Sequence, residues 1–172
     1  EDRSGTLWIG TASAGVLTYR DGEFSAWTTE QGLASNFVFA ISEDASSGVW
    51  IGTNGGLSRY SNGAFENFTI ANGLTSNRIR SLWTARDGSL WIGTDGGGLD
   101  RYVDGRFIAY TTAQGLPAGT ITAIREDQAG AIWVGTDGGG VARYLNEEFT
   151  VVTTANGLPS DRVSALWEDA QG

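Results

Sequence analysis

A unit of about 42 residues recurs four times along this chain, and this recurrence limits the possible folds more than any other feature. One marker is a tryptophan that returns after 42, 41 and 42 residues, as Trp8, Trp50, Trp91 and Trp133. Gly-Leu pairs that begin at 32, 73, 115 and 157 keep the same period, as do phenylalanines at 24, 65, 107 and 149. Three markers with one period indicate a repeat protein, in which each unit buries its apolar surface against its neighbours.

Each unit contains four short runs of the β type, separated by turn residues. In the second unit these runs are Val38–Glu43, Val49–Thr53, Leu57–Tyr60 and Phe65–Ile70. Dipeptides such as Asn62-Gly63 supply the positive φ angles that two-residue hairpins require, and no window has the 3.6-residue period of a helix. Four antiparallel strands per unit at this spacing predict an all-β fold, a β-propeller with four four-stranded blades per chain.

The composition excludes several classes of function. The chain has no Cys, His or Lys, so we expect no thiolate or imidazole metal site, no histidine base and no lysine Schiff base. A net charge of -9 argues against nucleic acid as a partner, because no basic stripe is present. The longest apolar run, residues 37–41, is far shorter than a membrane span. We therefore expect no membrane insertion of this segment, and we expect no cofactor.

Three stretches resemble the two-component regulator propeller repeat: LWIGTDGGGLDRY at 90–102, GRFIAYTTAQGLP at 105–117 and ITAIREDQAGAIWVGT at 121–136. The resemblance covers the whole chain, although Ala12-Ser13-Ala14 replaces the Asp-Gly-Gly loop in the first copy. It implies the sensor region of a hybrid two-component regulator, which is periplasmic or otherwise extracytoplasmic in the parent protein. It also implies a non-enzymatic sensing or assembly role in signal transduction, with carbohydrate-like ligands.

The repeat boundaries define one domain over residues 1–172, either a complete propeller or a half-ring. The copies span approximately 1–37, 38–78, 79–120 and 121–162, and 163–172 contains a closing inner strand. The chain begins at the turn that would follow a missing inner strand, and its first residue is not methionine. These features predict a piece of a longer repeat array.

A terminal strand must complete the first blade, because an unpaired strand edge invites pairing with another chain. Val163–Glu168 is predicted to pair with Leu7–Thr11, either within one chain as a four-bladed ring or between chains. Pairing between chains is favoured, because a four-bladed ring requires steep wedge angles that bulky tryptophan faces oppose. The favoured product is a homodimer with eight blades, joined by strand exchange.

Polar loops that differ between copies mark the predicted ligand-binding face. In a propeller, the connection that leaves the fourth strand and the connection between the second and third strands share one face, where binding loops sit on a rigid scaffold. The candidate residues are Asn36, Asn54, Asn77, Arg78, Asp95, Asp137, Asp161 and Arg162. Arg78 and Arg162 could hold a carboxylate or sulfate through paired hydrogen bonds. The alternative is that all eight residues are solvated loop tips.

Other conspicuous residues are assigned structural roles. Asp95-Gly96-Gly97-Gly98 precedes a strand and lacks a lysine, so a tight corner explains it better than a phosphate loop. The in-register tryptophans are expected between blades. The irregular Trp27, Trp83 and Trp167 are expected in the core, with exposure as the alternative. The acidic pairs that begin at 43, 126 and 168 recur in register, which favours turn chemistry over glycosidase carboxylates.

The sequence thus favours a non-catalytic ligand-sensing or interaction module, a fragment that assembles into a closed ring and binds a carbohydrate-like or anionic ligand. No catalytic residue is proposed. One alternative is a propeller lyase or glycosidase that acts on a polysaccharide, although the absence of histidine removes the base that such lyases commonly use. The other alternative is an engineered or excised repeat protein without a ligand.

Overall fold

The computed structural model describes residues 1–169, in which fifteen strands form four antiparallel sheets. The first sheet consists of β1 (Leu7–Gly10), β2 (Val16–Arg20) and β3 (Glu23–Trp27). The second sheet consists of β4 (Val38–Glu43), β5 (Val49–Thr53), β6 (Leu57–Ser61) and β7 (Ala64–Phe68). The third sheet consists of β8 (Ile79–Thr84), β9 (Leu90–Thr94), β10 (Leu99–Val103) and β11 (Arg106–Tyr110). The fourth sheet consists of β12 (Ile121–Glu126), β13 (Ile132–Thr136), β14 (Val141–Leu145) and β15 (Glu148–Val152).

Strand order in each sheet follows the chain, which is the meander of a propeller blade. A short 3-10 turn follows the last strand of every blade, at Thr29–Gln31, Ile70–Asn72, Thr112–Gln114 and Thr154–Asn156. A threonine precedes each turn and forms a capping box with the third residue of the turn. The turn leads the chain from the outer strand of one blade to the inner strand of the next. No helical element of residues 1–169 is long and apolar enough to span a membrane.

The glycine-rich loops are tight corners between the second and third strands of a blade. Gly98 has a φ of 103°, and a Cβ placed there would lie 2.4 Å from the carbonyl oxygen of Tyr110. Gly56 and Gly140 occupy the same corner in the neighbouring blades and also have positive φ angles. Glycine fits both this conformation and the close approach of the outer strand, which confirms the predicted corner.

The same aromatic contact recurs at each junction between consecutive blades. It joins a tryptophan to a tyrosine of the next blade at centroid distances of 5.2, 5.2 and 5.3 Å, in the pairs Trp8–Tyr60, Trp50–Tyr102 and Trp91–Tyr144. Trp50 and Trp91 are each only 2% exposed. Because aromatic pairs at this separation add to the stabilisation from buried apolar area, these tryptophans hold the blades together, as the sequence predicts.

A glycine in the second strand of each blade makes room for the inner strand of the next blade. A Cβ at Gly52 would lie 2.7 Å from Ile79 Cγ2, and a Cβ at Gly93 would lie 2.6 Å from Ile121 Cγ2. Ile79 and Ile121 are fully buried as a result. This close approach packs the inner strands of successive blades side by side around the propeller axis.

The predicted closing strand is not part of a sheet in this chain. Val163–Glu168 forms no strand, and β1 pairs only with β2, so the first blade has three strands instead of four. Val163–Glu168 needs a second strand to form a ladder. The free edge of β1, its predicted partner, belongs to the first blade, whereas Val163–Glu168 follows the fourth blade, at the opposite end of the arc. The structure is therefore an open arc, and the four-bladed ring closed within one chain is not formed. Residues 170–172 of the predicted closing segment lie outside the described residues.

Val163–Glu168 nevertheless follows the course of an inner strand. The backbone nitrogen of Val163 donates to the Thr136 carbonyl oxygen at 2.9 Å. Val163 also lies against Gly135, where a Cβ would be 2.9 Å from Val163 Cγ1. The contact repeats the packing of an isoleucine on a glycine at the internal junctions. The segment is thus placed as the first strand of a further blade that this chain does not supply.

Candidate functional site

Three of the predicted site residues brace the loops in which they lie. Each accepts a hydrogen bond from the backbone nitrogen that begins the 3-10 turn seven positions earlier, at 2.9, 2.8 and 2.7 Å for Asn36, Asn77 and Asp161. These bonds satisfy nitrogens that a helical turn leaves without an internal partner. The three side chains therefore position the loop face, whatever else they contact.

Arg78 and Asp95, both predicted site residues, form a charged cluster with Arg80 and Thr120. Arg78 Nη1 and Arg80 Nη2 lie 3.0 and 2.8 Å from Asp95 Oδ2, and Thr120 Oγ1 donates to Asp95 Oδ1 at 3.2 Å. The hydrogen bond from Arg80 lowers the pKa of Asp95, against the opposing effect of burial, and the charges of Arg80 and Arg78 lower it further. Two guanidinium groups on one carboxylate give the cluster a net positive charge.

A second pair of predicted site residues lies next to this cluster. Arg162 Nε is 3.1 Å from Asp137 Oδ1, and the two side chains are 79% and 47% exposed, so the pair adds little to stability. The carbonyl oxygen of Thr120 accepts from the Asp137 nitrogen at 3.1 Å, while its hydroxyl contacts Asp95. Thr120 thus links the two pairs. Asn54 is exposed and joins neither pair within residues 1–169.

Arg80 and Thr120 are not among the site residues that the sequence predicts. Arg80 lies on β8, and its guanidinium carbon is 5.3 Å from the ring centroid of Phe39 on β4. The sequence contains only a weak indication of the role of Arg80. The second position of three inner runs differs in each copy, as Phe39, Arg80 and Thr122. An arginine there must face solvent or an acid, because an unpaired charge is too costly to bury.

The recurring aspartates stabilise turns. Asp44 Oδ2 accepts from Trp50 Nε1 at 3.0 Å and lies 2.8 Å from Arg59 Nη2, while Asp127 Oδ2 accepts from Trp133 Nε1 at 2.7 Å. Burial of Asp44 opposes its ionisation, but backbone and arginine hydrogen bonds outweigh this effect and lower its pKa. The bonds repeat from copy to copy, which confirms the turn chemistry predicted for these residues.

One carboxyl group is fully buried in the third blade. Asp100 is 0% exposed, and its Oδ2 accepts from the nitrogen and hydroxyl of Thr75 at 3.0 and 2.9 Å, whereas its Oδ1 has no partner among the described residues. Burial raises the pKa of Asp100, and the bonds from Thr75 oppose this. In the second blade Ser58 occupies this position and accepts from the Ala34 nitrogen at 3.0 Å. The Ser58 hydroxyl thus makes the same contact with a loop nitrogen that the Asp100 carboxylate makes, so this contact does not require a charged group.

The irregular tryptophans have different environments. Trp27 packs between blades, with ring centroids 5.0 Å from Tyr60 and 5.9 Å from Phe65. Trp83 is partly buried against the core of the third and fourth blades. Trp167 is 80% exposed. The core prediction is thus confirmed for Trp27 and Trp83 and wrong for Trp167, because no strand within residues 1–169 pairs with its segment and covers the ring.

Comparison with known families agrees with this geometry. Residues 32–55 and 115–138 match the family model of the two component regulator propeller. The fold defines a β-propeller chain, and these two segments are similar to two-component regulator propeller repeats, which confirms the resemblance found in the sequence. No curated protein sequence matches the chain.

Solved structures show the same arc of blades. The chain is similar to the extracellular domain assigned to a hybrid two-component system of B. thetaiotaomicron, with a TM-score of 0.89 and 28% identity over 100% of this chain and 25% of that one. An extracellular domain assigned to a one-component system of that organism has a TM-score of 0.81 and 25% identity, over 96% and 24% of the two chains. This chain thus spans about a quarter of the length of these relatives.

A group of enzymes shares the fold alone. Virginiamycin B lyase from Staphylococcus aureus has a TM-score of 0.71 at 18% identity, over 88% of this chain and 54% of the lyase. A variant of that lyase in which alanine replaces a histidine is described as catalytically inactive. The present chain contains no histidine.

Proposed function

We propose that this chain is a non-catalytic ligand-sensing and interaction module from the extracytoplasmic sensor of a longer protein, and that it assembles into a closed ring. The repeats, together with the similarity to extracellular domains of signalling systems, support the sensing role. Function resides in sites on a fold and not in the fold itself. The open ends of the arc and the loop face are therefore the parts of the molecule that support these roles.

The incomplete first blade is the main observation that supports assembly into a ring. The sheet β1–β3 lacks an inner strand, while Val163–Glu168 follows the course of an inner strand that has no blade. The two halves lie at opposite ends of the same chain. Two copies arranged head to tail would complete each other's first blade, giving eight blades and leaving no exposed strand edge.

Each end of the arc also exposes one half of the aromatic junction. On the first blade Tyr19 and Phe24 are 39% and 66% exposed. On the fourth blade Trp133 has no tyrosine partner among the described residues, whereas Trp91 has Tyr144. Trp133 stacked on Tyr19 of a second copy would repeat the junction once more, with a similar gain from buried aromatic area.

The loop face is the proposed ligand site. The cluster of Arg78, Arg80 and Asp95 is positive on a chain whose net charge is -9, which favours an anionic group on the ligand. Asn54 and the exposed pair of Arg162 and Asp137 add donors and acceptors suited to carbohydrate hydroxyls. Arg78 and Arg162 stand on loops that Asn77 and Asp161 tie to the 3-10 turns, and Arg80 stands on β8, so these side chains require little ordering on binding.

A lyase or glycosidase activity has less support. The shared lyase fold does not carry the activity with it, and the chain has no histidine to act as a base. Asp44 and Asp127 are held by tryptophan hydrogen bonds, and the carboxylates of Glu43 and Glu126 accept from the backbone nitrogens of Arg3 and Arg86. Carboxylates committed to turns are poorly placed to act as a catalytic pair.

The mass of the protein in solution tests the assembly. Static light scattering should give twice the chain mass of 18.2 kDa. Tyr19→Asp should return the mass to that of one chain, because it places a charge in the seam without disturbing a buried residue. Ile108→Asp is the matched control, since Ile108 is 42% exposed on an outer strand away from the seam. A single-chain mass for the unaltered protein at every concentration would disprove the ring.

A further inference from the structure

One column of the inner strands combines tryptophan and arginine. The column is the fifth of the six positions in each inner run. It holds Ser42 on β4, Trp83 on β8, Arg125 on β12 and Trp167 in the terminal segment. The Arg125 guanidinium carbon lies 4.7 Å from the ring centroid of Trp83 and 4.7 Å from that of Trp167. The planar cation is therefore held between two indole rings, an arrangement that cation–π attraction stabilises.

Arg125 is one of two arginines that form no ion pair within residues 1–169. Nine of the eleven arginines form an ion pair within residues 1–169. Arg106 and Arg125 do not, and Arg106 is an exposed hairpin residue. The Arg125 side chain has no hydrogen bond within this part of the chain either, so its N–H groups remain available. Stacking fixes the plane of the guanidinium group and leaves its edge as the surface for recognition.

The surroundings of Arg125 form a cavity of about 540 Å³ with both apolar and acidic walls. Trp133, Leu166 and Trp167 supply the apolar surface. The nearby carboxylates are engaged elsewhere: Asp127 accepts from Trp133, and Glu168 accepts from the Gln128 nitrogen at 2.9 Å. Asp169 is likewise engaged in an interaction of its own. These acids weaken the attraction for a small free anion, so a ligand must gain additional contact area to bind.

We propose that Arg125, with its flanking tryptophans, binds an oxyanion that is attached to a flat, apolar ring face. The guanidinium edge matches a carboxylate or sulfate through two parallel hydrogen bonds. The free side of Trp167, which is 80% exposed, offers a platform on which the ring can stack. An acidic sugar and an aromatic acid share this chemistry. The site is formed by one chain and is separate from the loop face. It lies at the end of the arc that a second copy covers in the proposed ring, so it is a site of the single chain.

Calorimetric titration with four small probes tests the site and distinguishes the two sources. Glucuronate and glucose share a ring and differ in the carboxylate, while benzoate and acetate share the carboxylate and differ in the ring. Glucuronate, benzoate or both should bind, and glucose and acetate should each bind at least about tenfold more weakly. Glucuronate alone indicates an acidic sugar, and benzoate alone an aromatic acid. Absence of binding by both acids, or equal binding of acetate, would overturn the proposal.

Variants then assign the binding to Arg125. Arg125→Gln should weaken binding by about tenfold or more, because it removes a charge-assisted bidentate contact, whereas Arg106→Gln is the matched control and should have no effect. Trp167→Ala should also weaken binding, and its exposure makes misfolding an unsuitable explanation for the loss. The loss caused by Arg125→Gln should be the same when Arg78→Gln is also present, which separates this site from the loop face. Unaltered affinity in Arg125→Gln would refute the proposal even if the ring assembly is correct.

Discussion

Trp91→Ala and Trp133→Ala remove the same side chain from consecutive blades, one at a closed junction and one at the open end of the arc. Trp91 is 2% exposed, and its ring centroid lies 5.6 Å from Tyr110 and 5.3 Å from Tyr144. Trp133 is only partly buried and faces the terminal segment. The pair therefore measures what a neighbouring blade contributes to the stability of a tryptophan in this fold.

The magnitudes follow from buried area. A tryptophan buries roughly 150–250 Å², which corresponds to about 4–6 kcal/mol at 25 cal/mol per Å², and Trp→Ala substitutions in cores cost about 3–5 kcal/mol. Trp91→Ala should therefore lower the free energy of unfolding by about 4 kcal/mol. Trp133→Ala should lower it by roughly half as much in a single chain, because part of the ring already contacts water. Once a second copy covers Trp133, the two costs should become similar.

Urea denaturation at low and high protein concentration provides the assay. The loss for Trp91→Ala should be nearly independent of concentration. The loss for Trp133→Ala should grow as the protein assembles, because binding of a second copy stabilises the folded state by mass action. Equal losses for the two variants in dilute, single-chain protein would show that Trp133 is already fully buried, and would refute the reasoning about the open end.

Three further predictions concern individual residues. Asp100→Ser should raise the unfolding free energy at pH 7 by about 1 kcal/mol. The raised pKa of Asp100 means that the native protein loses stability as the pH rises above the ordinary value of 3.8, so the gain should vanish near pH 3 in acid unfolding curves. Gly98→Ala should cost about 2 kcal/mol or more in thermal unfolding, against about 1 kcal/mol for Gly96→Ala, where no atom lies within 4 Å of the added Cβ. Burial of Asp2 opposes its ionisation, but hydrogen bonds from Trp8 and nearby groups lower its pKa to about 2. Its contribution should therefore be lost between pH 3.8 and about 2, and Asp2→Asn should abolish that part of the acid-unfolding curve.

The sequence predicts the inner strands and the tryptophan strands to the residue in several blades. Val38–Glu43 and Val49–Thr53 are predicted and observed with the same bounds, because alternation and turn residues delimit them. The outer strand is predicted too long: in the second copy it extends to Ile70, but β7 ends at Phe68. There Thr69 begins a capping box with Asn72, a local competitor of strand pairing that a β-type run of residues conceals.

The pairing of the terminal segment and the grouping of the site residues could not be predicted without the three-dimensional structure. The residues of Val163–Glu168 have the same pattern as Ile121–Glu126, yet only the latter has a neighbouring strand to pair with. Pairing depends on which chain supplies the partner, and a local pattern does not contain that information. The sequence likewise indicates Arg78 and Asp95 as separate candidates. Their convergence with Arg80 depends on the packing of one blade beside the next.

Regular and irregular positions of the repeat have different physical roles. Positions that repeat in every copy, such as the tryptophan of the second strand, satisfy a packing requirement that every junction shares. The inner-strand column of Ser42, Trp83, Arg125 and Trp167 holds three different residue types, although Ser42, Trp83 and Arg125 stand at the same position of paired inner strands. Since the repeated backbone does not require one residue type at this position, the chemistry of its side chains is free to serve recognition. The one arginine in this column, stacked and without an acidic partner, is therefore a better indicator of a ligand than the conserved-looking glycine and acidic motifs, whose contacts the fold already explains.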